Sequence, residues 1–281
     1  MKLYKYRSDI YRDLLAIVSN QIFIPTKDNL NDPAEVLFDD RQLLDNIKVR
    51  KEQKQIHESV ERNYKILIEG IKKKVGIFSL SKNVTNELLW SYYSNGHNGF
   101  CIEYESEILK EQLKDDSFPF EIEVDYSQGI PDLSLDMYFS SSNNLPFLIQ
   151  ILVGNKSYLW AHEEEVRLIT CKSGLFDINP NAVTGIYFGV KMSEYHKDLI
   201  MKVLKNRNIS FFQMQLVPNS YALEFKQINN VESIPKTEQI LDKHFTPKEI
   251  INKLMEDIVE NKENTCIIYS MEDIKKLTEN L

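Results

Sequence analysis

Residues 160–169 read WAHEEEVRLI: three consecutive carboxylates, Glu163, Glu164 and Glu165, stand between a tryptophan and an arginine. Acidic triplets usually belong to solvated helix faces. This one runs into Val166-Arg167-Leu168-Ile169-Thr170, whose β-branched, apolar composition reads as a strand. In an extended conformation Glu163, Glu165 and Arg167 share one face, and Glu164 and Val166 the other. Like charges two residues apart repel, so a partly buried pair would have one pKa pushed up, and Arg167 could offset the repulsion with a salt bridge. A carboxylate pair of this kind can carry general acid–base work or face a developing cation. The alternative is an edge strand with its charges in solvent. Trp160 stands ahead of the group as an anchor.

Three further constellations carry chemistry-bearing residues. In Tyr4-Lys5-Tyr6-Arg7 a strand puts the two tyrosines on one face and Lys5 and Arg7 on the other. That suits a phosphate-binding cation beside a stacking ring, and equally an edge strand with its tyrosines turned inward. Asn29-Leu30-Asn31-Asp32-Pro33, with Glu35, has the composition of a rigid loop that caps its own backbone, which gives Asn31 and Asp32 a supporting role. Residues 88–93, LLWSYY, place Trp90 and Tyr93 on one helix face, with Trp90 as a packing anchor. His97 follows in the turn Asn95-Gly96-His97-Asn98-Gly99, where backbone N–H groups can approach an anion; a surface histidine is the competing reading.

The elements that must position these residues follow from periodicity. Strands are expected over 3–7, 21–25, 75–81, 99–104, 118–126, 184–190 and 209–216. Ser8 is expected to cap a first helix with Ile10, Leu14 and Ile17 inward. One or two charged, amphipathic helices span about 36–74 as an insertion and end in Lys72-Lys73-Lys74, which complements the helix dipole. Asn83 or Thr85 opens a short helix, 146–153 forms a short buried helix, and Ser193 caps another. Strands interrupted by helices without regular βαβ spacing predict an α+β fold. The domain reading is a core over 1–228 and a mainly helical appendage over 229–281, with two short helices around Pro247 and a strand at CIIYS, 266–270.

The 281 residues are 42% hydrophobic, enough for a sizeable core. The net charge of −8 argues against wholesale coating of nucleic acid but leaves room for a local basic surface. The charged N-terminus, the lack of an apolar run long enough for a bilayer and three distant cysteines point to a cytoplasmic protein. No nucleotide-loop, nucleophile-elbow or metal-ligand motif occurs, and the five histidines are scattered singly, so no metal is expected.

Taken in order, LYKYR, the NDP-x-E loop, FSLS, LLWSYYSNGHNGFCIEY and W-x-x-E-x-E-x-R resemble a bacterial family catalogued as domain of unknown function 2971, over residues 3 to about 216. Val166 and Ala34 stand where that family usually has aromatics. The block order is also similar to that of ADP-ribosyltransferases, which use NAD. That second resemblance implies a mixed or split central sheet flanked by helices, with NAD as substrate. It implies a first-strand cation (Arg7 or Lys5, with Tyr6 beside it), a middle strand carrying Ser79 with Tyr92 or Tyr93 near it, His97 among the cofactor-binding groups, Glu165 catalytic and Glu163 assisting. No first-strand histidine is present, which leaves the role of Arg7 open. Arg167, Trp90 and Trp160 would be structural support. The acceptor would be a protein, a nucleic acid or water, in a toxin or anti-phage effector, and the appendage would contact a partner or a second copy. A non-catalytic nucleotide- or nucleic-acid-binding module and a structural protein are the alternatives.

Overall fold

Period-two alternation and period-3.6 stripes interleave along the chain, and the elements follow them. The computed structural model describes residues 1–117, 120–141 and 145–228. They form β1 (Lys2–Arg7), α1 (Ile10–Val18), β2 (Gln21–Ile24), α2 (Arg41–Glu52), α3 (Ser59–Lys74), β3 (Gly76–Ser81), α4 (Glu87–Tyr93), β4 (Phe100–Glu105), α5 (Ser106–Ser117) and β5 (Phe120–Glu123). Then come β6 (Asp125–Ser127), α6 (Leu135–Ser141), α7 (Leu145–Val153), β7 (Asn155–Ser157), β8 (Glu165–Thr170), β9 (Gly174–Asp177), β10 (Val183–Phe188), α8 (Glu194–Val203), β11 (Ser210–Leu216) and β12 (Leu223–Gln227). The expected appendage, with its helices and the CIIYS strand, lies outside the described residues.

The fold is α+β, with an eight-stranded mixed sheet of order β12-β11-β10-β4-β1-β3-β8-β5 and helices alongside it. β1 and β3, β3 and β8, β8 and β5, and β11 and β12 are antiparallel, and β10 and β11 are parallel. Two local expectations need correction. Asp9, not Ser8, caps α1, its carboxylate accepting from the Arg12 N–H at 3.1 Å. The side chain of Asn86, not Asn83 or Thr85, accepts from the N–H groups of Leu88 and Leu89 at the start of α4. In both places a carboxylate or amide closer to the helix wins the orphan N–H groups. No helix among the described residues is long and apolar enough to cross a membrane.

The contacts divide the chain into two units. The first comprises Met1–Lys5, Ile22–Leu89 and Glu103–Ala182. Here α2 and α3 bury one stripe each, Leu43 and Ile47 from α2 and Tyr64, Ile68 and Ile71 from α3. These join Leu148, Leu152 and Val153 of α7, Ile122 of β5 and Ile169 of β8 in one apolar cluster. The expected insertion at 36–74 is therefore part of this unit's core. The β3–β8 register pairs Ser79 with Arg167 and Ser81 with Glu165.

The second unit comprises Tyr6–Gln21, Trp90–Ile102 and, among the described residues, 183–228. β10, α8 and β11 form a parallel crossover, the connection length that parallel pairing requires. Trp90 is fully buried, with Tyr6 edge-on to it at 5.2 Å between ring centroids. Gly99 sits so close to the end of β1 that a Cβ there would lie 2.0 Å from the Arg7 carbonyl oxygen. Backbone cannot yield as a flexible side chain can. Gly99→Ala should therefore cost about 2 kcal/mol or more, read as a lower urea midpoint with an unchanged m-value.

Candidate functional site

The acidic triplet is divided by a change of backbone conformation. Tyr158–Glu163 form a 3-10 turn that ends on Glu164 in the left-handed region, at φ 46°, and β8 begins only at Glu165. A non-glycine residue holds that conformation when its surroundings over-determine it. The Lys82 N–H donates to the Glu164 carbonyl at 3.1 Å, and the Asn83 amide donates to the Glu164 carboxylate at 2.9 Å. Ser81 Oγ donates to the Glu163 carbonyl at 2.7 Å, and the Asn86 amide to the His162 carbonyl. The extended geometry expected from Glu163 onward is thus overturned. Glu163 reaches the same place as Glu165 from the end of a turn, and Glu164 is left exposed.

What gathers the carboxylates is a pair of buried cations. Arg167 is 0% exposed. Its Nε donates to Glu165 Oε1 at 2.8 Å, Nη2 to Glu165 Oε2 at 3.0 Å and to Glu35 at 2.8 Å, and Nη1 to the Val153 carbonyl at 2.6 Å. Lys156 Nζ donates to Glu163 Oε2 at 2.5 Å and Glu165 Oε2 at 3.2 Å, and lies 3.3 Å from Glu35 Oε1. Its ammonium also sits 5.0 Å above the centre of the half-buried Trp160 ring. Tyr126 Oη accepts from the Glu165 N–H at 2.8 Å. The charges are buried, not spread over a solvated strand edge. Three carboxylates face two cations, a formal excess of one negative charge.

The pKa shifts follow from that imbalance. Burial disfavours the charged form of Glu165, but bidentate Arg167, Lys156 and the Ser79 side chain outweigh it and hold the carboxyl down to about 2. Glu35 goes the other way: desolvation dominates the attraction of Arg167 and Lys156, and its carboxyl is raised. The expected upward shift therefore falls on Glu35 and not on Glu165. Lys156 and Arg167 are both held more firmly protonated, burial being outweighed by the surrounding glutamates. Burial pushes the Tyr126 phenol up to about 12, so it stays neutral.

The other expected residues of the first unit fall near this cluster or shape it. Lys5 Nζ donates to the Ser79 carbonyl at 2.6 Å and lies over the Phe78 ring, and the Ser79 side chain helps keep the Glu165 carboxyl low. Asp32 Oδ1 accepts from the Ala34 N–H at 2.9 Å, and its carbonyl accepts from the Glu35 N–H at 3.2 Å, so Asp32 forms the turn that delivers Glu35. Asn31 is exposed. Lys156 and Tyr126 were not among the expected residues, because no spacing in the sequence marks a lone lysine nine residues before Glu165 or a tyrosine on the short strand β6.

Arg7, Tyr6, Trp90, Tyr92, Tyr93 and His97 belong to the second unit. Arg7 Nε is 3.4 Å from the buried Asp13 carboxylate, which Arg12 also approaches at 3.3 Å. His97 takes a left-handed φ of 71°, and its half-buried ring stacks on Trp90 at 6.3 Å with 11° between the planes. This is tighter than a surface histidine. Its carbonyl accepts from the Lys191 N–H at 3.0 Å, and its own N–H donates to the Trp90 carbonyl. Tyr92 is exposed and lies perpendicular to Tyr93.

Residues 89–168 match the model of a family described as "Protein of unknown function (DUF2971)". That match supports the family resemblance over the blocks from Leu89 to Leu168, the LWSYYSNGHNGFCIEY stretch and W-x-x-E-x-E-x-R, and it takes in β8 as far as Leu168, including Glu163, Glu165, Arg167 and Lys156. No curated protein and no solved structure matches the chain.

Two outcomes follow from the cluster. Arg167→Met removes one cation and leaves Glu165 and Glu35 buried without it, which should cost about 3–5 kcal/mol, measured by urea unfolding at neutral pH. The second concerns pH. Glu165 titrates lower in the folded chain than its ordinary 4.5, so its contribution is present above that value and is lost as pH falls through about 2. Glu35, raised on folding, contributes with the opposite sign, its stabilisation present at low pH and lost as pH rises through its folded value. The stability gap between wild type and Glu165→Gln should therefore shrink between about pH 5 and pH 2. A gap that stays constant over that range rules out the ion pair as its source.

Proposed function

We propose that the protein is an ADP-ribosyltransferase-like enzyme that cleaves the nicotinamide–ribose bond of NAD and passes ADP-ribose to an acceptor or to water. One observation carries this reading. A first-strand cation, a middle-strand serine and a late glutamate lie on the neighbouring strands β1, β3 and β8, Lys5 donating to the Ser79 carbonyl and Ser79 facing Arg167, the partner of Glu165, across the β3–β8 register. That is the arrangement the resemblance implies, and it selects Lys5 as the first-strand cation of this unit.

The chemistry fits the charge states. The carbon–nitrogen bond breaks with its electron pair leaving on nicotinamide, and the ribose carbon becomes oxocarbenium-like, as in glycoside cleavage. An ionised Glu165 accepts from the ribose hydroxyl and faces the developing positive charge. A new bond then forms from the acceptor or water oxygen to that carbon, and the proton released passes to Glu163. Lys156 and Arg167 act as positioning residues that keep the two carboxylates in register.

A second reading has its own support. Both oxygens of Glu165 are already engaged by Arg167 and Lys156, and the group is almost wholly buried. Those facts suit an ionic clamp that fixes the start of β8 without turnover. Nicotinamide release from NAD distinguishes the two. The enzyme reading expects release by wild type and a loss of about a hundredfold or more in Glu165→Gln, with thermal melting confirming that the variant is folded. Absence of release from folded wild type, across protein and nucleic-acid acceptors, leaves the clamp.

A further inference from the structure

The net charge of −8 is unevenly distributed. Residues 41–74, the α2–α3 hairpin, hold ten Lys and Arg against five Asp and Glu, a net charge of +5, while the remainder of the chain carries −13. The hairpin buries Leu43, Ile47, Tyr64, Ile68 and Ile71 and turns its other face outward. The positive charge is concentrated where the helices meet. Lys65 bonds Glu61 at 2.6 Å, Lys51 of the other helix lies 3.8 Å from the same carboxylate, and Lys48 also acts on it electrostatically. One carboxylate thus holds three lysines together and neutralises one of them. Lys48, Arg50, Lys54 and Arg62 are all exposed around that point. The exposed residues that alternate with these cations along the chain include the amides Gln53, Gln55 and Asn63, with Val49 and Ile66 as exposed large apolar residues, whereas Gln42 and Asn46 lie beside Asp39, Asp45 and Asp132.

We propose that the outer face of the α2–α3 hairpin is a nucleic-acid-binding surface that takes the phosphate backbone without reading sequence. Three observations select this partner over other polyanions. Cations from two successive helices that meet at Glu61 present charge over a surface instead of at a point, which suits a chain of regularly spaced phosphates. The interleaved Asn and Gln side chains can hydrogen-bond phosphate and sugar oxygens. A membrane-binding helix would instead need a continuous apolar face rich in aromatic or leucine side chains, and the two exposed apolar residues do not make one. The acidic remainder of the chain repels a polyanion elsewhere, so binding is confined to the hairpin. This inference rests on charge and exposure alone and is independent of the NAD reading.

Fluorescence anisotropy with the full chain and a labelled single-stranded RNA of about 20 nucleotides tests it. Saturable binding at low salt is expected. The logarithm of the affinity should fall with the logarithm of salt concentration with a slope of about −3, the value for roughly four neutralised phosphates on a single strand. The variant Lys48→Glu/Arg50→Glu/Lys54→Glu should lose at least about tenfold in affinity while keeping its melting temperature and any nicotinamide-release activity. The proposal is overturned by absence of RNA binding at low salt, by binding that the triple variant leaves unchanged, or by tighter binding to polyglutamate or to phosphatidylserine vesicles than to RNA. A failed NAD assay with intact RNA binding removes only the enzyme reading, and the converse removes only this one.

Discussion

The first unit depends on one buried guanidinium. Arg167 lies wholly out of water in the interior of a sheet, where an unpaired charge costs far more than folding can supply. Its partners are therefore obligatory, and they come from three separate stretches: Glu165 on its own strand, Glu35 from the loop after β2, and the Val153 carbonyl at the end of α7. An apolar residue at the same position would let those stretches dock at many angles. A guanidinium accepts only a planar set of oxygens and so fixes their register.

Lys156 extends the constraint. By holding Glu163, Glu165 and Glu35 at once it ties the 3-10 turn, the start of β8 and the Glu35 loop to a single ammonium. The remaining negative charge is distributed unequally. Glu165, with two cations on it, is firmly ionised, while Glu35 accepts the proton more readily. Unequal carboxylates in one site are a feature of acid–base chemistry and also of ionic networks that serve only to specify a structure. Lys5 adds a further cation on the neighbouring strands, donating to the Ser79 carbonyl, with Ser79 paired to Arg167 in the β3–β8 register.

Charge is handled differently on the exposed residues of the α2–α3 hairpin in the same unit. The α2–α3 hairpin shares an apolar cluster with Val153 and Ile169, which are close in sequence to Lys156 and Arg167. Yet its own cations are exposed and exceed their counterions. The buried charges are paired to a geometric fit, and the exposed ones remain available to a partner of opposite sign. In a chain of net negative charge, neither arrangement is visible in the total.

Much of the fold was legible from residue pattern. β1, β3, β4, β10 and β11 lie where short runs rich in apolar and aromatic residues read as strands, and α1, α3 and α8 follow the spacing of their buried stripes. The short strands β7, β9 and β12, and helices α5 and α6, were not read; the strands have three to five residues, too few for a period to stand out. Within the site, the sequence by itself determined that Glu163, Glu165 and Arg167 belong together and that the NDP-x-E loop is a rigid turn. Only the tertiary structure decided that Glu163 arrives through a left-handed break at Glu164, that Glu35 is the third carboxylate, and that Lys156 holds all three. The reason is physical. Local periodicity records which face a residue occupies, whereas a buried ion network is closed by residues as far apart as Glu35 and Arg167, whose meeting depends on how whole elements pack.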